Sequence, residues 1–188
     1  GRIFNELETD TGEFDDITDV FWASGACLFI RSKVYHQLHG FDEDYFAHQE
    51  EIDLCWRTKN LGYAVKYVGT ATVYHVGGAT LNETNPHKTF LNFRNSLFNI
   101  VKNVPKRWCF MIVLARLLLD GIAGVKFIIE LRPIHTWAIL KAHVSFYRYL
   151  LTCIKKRNSQ QKIPAYYMHT SIVWQYFFLK RKRFKQLR

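Results

Sequence analysis

Glu50, Glu51 and Asp53 crowd together in the stretch FAHQEEIDLCWR, behind His48 and at the head of a segment with helical periodicity. Carboxylates in a first helical turn complement the free N–H groups and the helix dipole, which is the structural reason to find them there. The same groups can accept a proton, so the spacing has to separate the two uses. Glu50, Asp53 and Arg57 follow one another at i, i+3 and i+7 along one face, while Ile52, Cys55 and Trp56 take the apolar face. Glu51 is turned about 100° from Glu50 and cannot share its role. One acid is then structural and the other chemical. His75 is the remaining candidate. It ends a run of strand formers just ahead of Gly77 and Gly78, and read alone it is a satisfied, partly buried polar group.

The elements that must position these groups read as mixed α/β in the first half. VFWASGACLFI, Val20 to Ile30, is a mostly apolar run broken by Gly25, as for a buried strand whose backbone approaches something closely. A short helix follows, with Ser32 as its cap and Gly40 as its end. After the polar turn GFDEDYF, the acidic helix runs from about Gln49 to Leu61 with Gly62 as its stop. Two strands come next, Tyr63 to Val68 and Ala71 to Val76, separated by Gly69.

The charge divides with the pattern. Residues 1–100 hold 8 basic and 14 acidic side chains, a net of −6, whereas residues 101–188 hold 18 and 2, a net of +16. The two halves therefore have different partners. With 48% hydrophobic and 16% aromatic residues among 188, the chain is not disordered by composition and can bury a core. Cys27, Cys55, Cys109 and Cys153 are scattered without a CxxC pair, which argues against a zinc site or a disulfide framework and for reduced thiols. The opening GRIFNELETD is neither an initiator Met nor a targeting segment, and a fragment of something longer is expected.

Together these residues resemble a known family. Trp22 to Leu81, about 60 residues, is similar to the carboxyl-terminal half of family 2 glycosyltransferases of the GT-A fold, of the bacterial rhamnosyltransferase-like type. The family's glycine-containing segment beside the donor sugar matches Ser24, Gly25 and Ala26. Its acidic pair preceding an aspartate and a leucine matches Glu50, Glu51, Asp53 and Leu54, and its late histidine matches His75. The resemblance implies a partial GT-A unit over residues 1–85, followed by a helical, basic, membrane-associating region over residues 86–188.

Transfer from a nucleotide-sugar needs a base for the acceptor hydroxyl and a positive centre for the departing diphosphate. By resemblance Glu51 takes the catalytic-base position, where the family usually carries aspartate, and Glu50 the supporting acid, with the reverse as the alternative. Asp53 is expected on the donor and acceptor side. His75 is expected as a ligand to Mg²⁺ or Mn²⁺, imidazole suiting Mn²⁺ better. Gly25 lets the backbone lie against the sugar. Trp22 either stacks on a sugar face or packs on the sheet. The Asp-X-Asp metal motif of such enzymes lies well upstream of the acidic pair. Asp42–Asp44 copies its pattern within a surface turn and reads as a look-alike. The chain alone is therefore expected to lack most of its donor site and to be inactive.

The basic half opens with Pro86 at a helix start and an amphipathic LNFRNSLFNIVKNV ending before Pro105. Arg107 to Ile129 is the membrane candidate, but Arg116, Asp120 and Lys126 leave it short of the roughly 18 to 20 uncharged residues needed to span. Arg116 and Asp120 form an i, i+4 pair that can neutralise itself. From Pro133, Lys141, Ser145, Arg148, Thr152 and Lys155 make a polar stripe beside Leu140, Val144, Tyr147, Leu151 and Ile154. That stripe suits either a membrane surface or the core of a bundle. With the basic FFLKRKRFKQLR at the end, it points to anionic lipid and a peripheral place on the cytoplasmic face of the inner membrane. A nucleic-acid binder would also be basic and aromatic, yet no RRM, zinc-finger or helix-turn-helix pattern is present. The expected function is sugar transfer from a nucleotide-sugar to a cell-envelope or lipid-linked glycan, with a noncatalytic membrane adaptor derived from a transferase as the alternative.

Overall fold

The computed structural model describes residues 2–3, 6–7, 11–12, 14–75, 84–157, 171–182 and 186. These are mostly helical, with two small antiparallel ladders, consistent with part of an α/β unit. Strands β1 (Arg2–Ile3) and β2 (Glu6–Leu7) pair with each other. Strand β3 (Ile17–Val20) pairs with β4 (Val65–Val68), Ile17 opposite Val68 and Val20 opposite Val65. Lys66 Nζ reaches Asp19 Oδ1 across this ladder at 2.9 Å. Gly69 follows directly. Its N–H donates to the Asp16 carbonyl at 3.0 Å, and a Cβ there would fall 1.9 Å from the Phe14 carbonyl oxygen, so the two backbones come too close for any side chain.

The apolar run at residues 20–30 is not the buried strand that its composition suggests. Only Val20 belongs to a strand, Gly25–Cys27 form a 3₁₀ turn, and Phe29 is 94% exposed. The reason lies in its neighbour. Beyond Val20 the run lies along helix α2 (Glu50–Asn60) and meets that helix's side chains rather than a second strand: the Ala23 N–H points at Cys55 Sγ, and Lys59 Nζ donates to the carbonyl of Val20, where the strand ends. Phe21 meets Trp56 edge-on at 5.0 Å. Likewise residues 71–75 have no regular structure, so His75 ends no strand, and Gly77, Gly78 and Leu81 lie outside the described residues.

Helix α1 (Ser32–Gln37) begins at Ser32, with Arg31 in the cap position and no side-chain cap bond, so Ser32 is inside the helix rather than capping it. Gly40 and Gly62, at φ +69° and +91°, terminate α1 and α2 as expected. Three long helices follow: α3 (Pro86–Asn103), α4 (Lys106–Ile129) and α5 (Pro133–Lys155). Asn85 Oδ1 caps α3 through the His87 N–H, with Pro86 in the first turn.

The core sits between α3 and α5 and is built from Leu97, Phe98, Val101, Phe146 and Cys153, with Tyr45 inserted from the turn ahead of α2. Charged groups stitch the same elements together. Asp53, fully buried, is held by Arg57 Nε at 2.7 Å, Lys102 Nζ at 2.8 Å and Asn103 Nδ2 at 2.9 Å. Lys102 and Lys156 both reach Asp42, and Lys156 also reaches Asp44. Arg157 donates to the Val101 and Val104 carbonyls. Ion pairs and hydrogen bonds thus run directly from the helical region into residues 42–53.

Candidate functional site

Helix α2 brings its first turn, with Glu50 and Glu51, to the 3₁₀ turn at Gly25–Cys27. A Cβ built on Gly25 would stand 4.0 Å from the Glu51 Cβ. The φ of Gly25 is not positive and a Cβ there would make only ordinary contact with the Glu51 Cβ, so neither the backbone nor crowding demands glycine. Ser24 Oγ accepts from the Ala26 N–H at 3.3 Å and fixes the turn. Ser24, Gly25 and Ala26 are all exposed, and Trp22 is 44% exposed while its neighbour Phe21 does the packing against Trp56.

The two acids differ in surroundings. Burial, reinforced by the neighbouring Glu50 charge, raises the Glu51 carboxyl above its ordinary pKa. Oε2 of Glu50, Oε2 of Glu51 and Nε2 of His48 are buried without a hydrogen-bond partner. Burial also lowers the His48 pKa, with the Lys88 charge adding to the effect, which favours the neutral imidazole.

The remaining candidates are placed differently. Asp53 turns inward to Lys102 and Asn103 and shares no opening with Glu51. His75 is exposed in the irregular segment. Among the described residues no three His, Cys, Asp or Glu side chains come together to hold a metal. The divalent ion expected by resemblance has no complete shell there. Asp42 and Asp44, the Asp-X-Asp look-alike, are occupied by Lys102 and Lys156.

Reading the sequence missed the contribution of α3. Asn95 Nδ2 donates to the carbonyls of Tyr45, Ala47 and His48 at 3.1, 2.8 and 2.7 Å, and Arg94 donates to those of Asp44 and Tyr45. Asn99 accepts from the Tyr45 hydroxyl at 2.9 Å and donates to Gln49. A signal was present. Asn95, Asn99 and Asn103 recur every fourth residue on the face that also carries Leu91 and Phe98, and a polar stripe on a buried face must have partners to satisfy.

Comparisons with known proteins place one short segment. The chain is 43% identical over 56 residues to an N-acetylglucosaminyl-diphospho-decaprenol L-rhamnosyltransferase of Mycobacterium tuberculosis, covering 30% of this chain and 18% of that protein. It is 34% identical over 58 residues to the rhamnosyltransferase WbbL of Escherichia coli K12, covering 31% of this chain and 22% of that protein. The match thus spans about a fifth of the length of these curated relatives. No family model matches, and no solved structure matches.

Proposed function

We propose that the intact protein to which this chain belongs is an inverting glycosyltransferase of the GT-A, family 2 kind, moving a sugar from a nucleotide-sugar donor to a hydroxyl of a cell-envelope or lipid-linked glycan. The names of the relatives make L-rhamnose the first sugar to test. The observation that carries the reading is the meeting of Gly25 with Glu51 at the head of α2.

In this reading Glu51 takes the proton of the acceptor hydroxyl as its oxygen attacks the anomeric carbon. The bond from that carbon to the donor's phosphate oxygen breaks on the opposite side, and the nucleoside diphosphate leaves with the electron pair. A carboxylate whose pKa is raised by burial is a stronger base than a solvated one. Glu50 keeps a second negative charge beside it and orients the site. Gly25 leaves room for the sugar, and Trp22 offers an exposed ring for it to rest on. Glu51→Gln in the intact enzyme, assayed with a nucleoside-diphosphate rhamnose and a lipid-linked acceptor, tests the assignment.

The helical region supports an acceptor held at a membrane. No described helix is long and apolar enough to cross one. Instead α4 presents Phe110, Met111, Leu114, Leu118, Ile122, Val125 and Ile129 outward, while Arg116 and Asp120 turn inward, 2.6 Å apart, with His143 as a further partner to Asp120. The α5 stripe of Leu140, Val144, Tyr147, Leu151 and Ile154 is also exposed rather than packed into the bundle. Lys106, Arg107, Lys126, Lys141, Arg148 and Lys155 are exposed along these helices, with Glu130 as their one exposed acid. Apolar surface rimmed by positive charge fits an anionic lipid surface, at the cytoplasmic face of the plasma membrane.

A further inference from the structure

Between Tyr45 and Glu50 the backbone takes three positive φ angles in four residues, none of them at glycine. Phe46 is at φ 63° and ψ −61°, the centre of a γ-turn closed by the Ala47 N–H donating to the Tyr45 carbonyl at 2.8 Å. His48 and Gln49 follow at φ 66° and 70°. Backbone of this kind is strained outside glycine, and the conformation persists only where its surroundings impose it. Those surroundings are the buried polar side chains of α3. The carbonyls of Tyr45, Ala47 and His48 converge on the single amide of Asn95, Tyr45 also receives Arg94, and Gln49 exchanges contacts with Asn99 and with the Asn92 carbonyl. Asn95 is fully buried, Arg94 and Asn99 nearly so. A clamp of this sort, closed on the segment that ends where the acid pair begins, sets where that pair starts.

We infer that Arg94, Asn95 and Asn99 are positioning residues, which hold the strained segment Tyr45–Gln49 and through it aim Glu50 and Glu51. The inference deepens the transferase reading and rests on it for its kinetic consequence. The chemistry is general: a small displacement of a reacting group costs turnover far more than it costs substrate binding. Asn95 touches no substrate and acts only through the carbonyls it gathers.

The test has two readouts. Hydrogen exchange on the intact protein, with and without Asn95→Ala, should show amides 46–51 exchanging at least about tenfold faster in the variant, with the α3 to α5 core amides unchanged. In the sugar-transfer assay kcat should fall about 10- to 100-fold with the donor KM changed less than about threefold. Phe46→Gly in the Asn95→Ala background should recover part of kcat, because glycine holds the γ-turn at less cost. Should Asn95→Ala not fold, Asn95→Asp keeps the volume, removes the amide donors and is read in the same way. Unchanged exchange at 46–51, or a kcat loss that the Phe46→Gly change does not relieve, overturns the clamp. Loss of transfer in Asn95→Ala with none in Glu51→Gln overturns the base assignment and leaves the exchange result to judge the clamp.

Discussion

Asp53 Oδ1 lies 2.8 Å from Lys102 Nζ, so a buried carboxylate in the first turn of α2 is neutralised by a lysine in the last turn of α3. Removing one partner of such a pair leaves the other buried and uncompensated, at a cost of about 3–5 kcal/mol. Asp53→Asn should therefore lower unfolding free energy by about that amount in urea titration. Lys102→Met should cost less, because Asp53 keeps Arg57 and Asn103, and Asp42 keeps Lys156. If Asp53→Asn abolishes sugar transfer while leaving the urea midpoint unchanged, Asp53 belongs to the site and not to the scaffold.

Glu51 gives a pH signature. A general base works deprotonated, so turnover should fall as pH drops through its pKa, which burial and then the Glu50 charge raise above the ordinary 4.5. Glu51→Gln should reduce turnover by roughly 10² to 10⁴ and abolish that acidic limb. Glu50→Gln takes away one of the raising causes, so the limb should move to lower pH while activity persists. A limb that stays in place in Glu50→Gln and vanishes only with the activity would mean that the two acids do not interact, and loss of turnover in Glu50→Gln alone would reverse their roles.

The sequence carried the helices better than the strands, for a physical reason. Helices α2 and α3 declare themselves locally through Pro86, Gly62 and their periodic apolar positions, and all their backbone bonds close within the segment. Val20 to Ile30 has strand composition, but a strand exists only when another strand lies beside it, and here the side chains of Lys59 and Cys55 took that place. The grouping of Gly25 with Glu51 followed from the family resemblance, since nothing in residue spacing brings positions 26 apart together. The clamp by Asn95 was hidden in a helix that otherwise reads as ordinary amphipathic structure.

Asp42 should dominate one part of the acid stability curve. Burial pushes its carboxyl up, but hydrogen bonds from Lys102 and Lys156 outweigh burial and hold it at about 2, below the ordinary 3.8. A depressed acid stabilises the fold fully above about pH 4, and that contribution is lost as pH falls through the folded value. Wild type should thus lose about 2 kcal/mol across that window on account of Asp42, and Asp42→Asn should not. Chemical unfolding at stepped pH should show the two proteins converging toward pH 2. Parallel curves would mean that the lysines hold Asp42 no more tightly than water does.

The outer face of α4 and α5 should bind anionic vesicles without spanning them. Its exposed aliphatic and aromatic residues would bury apolar area at about 25 cal/mol per Å², a term that salt does not weaken. The lysines and arginines alongside add on the order of 1 kcal/mol each near anionic lipid, a term that screening removes. Two terms of different salt sensitivity predict a particular pattern. The intact protein should sediment with phosphatidylglycerol vesicles, bind phosphatidylcholine vesicles more weakly, and lose part of its affinity at high salt. Lys141→Glu with Arg148→Glu should lower the anionic preference, since both lie on the exposed side of α5 and form no ion pair among the described residues. Leu118→Asp with Ile122→Asp should instead weaken binding to both kinds of vesicle. Equal binding to the two lipids in wild type, or a concentration-dependent dimer that the Leu118 and Ile122 changes dissolve, would assign this face to protein. A protease-protected segment around Met111 to Ile129 would mean that α4 enters the bilayer, its Arg116 and Asp120 neutralising each other inside.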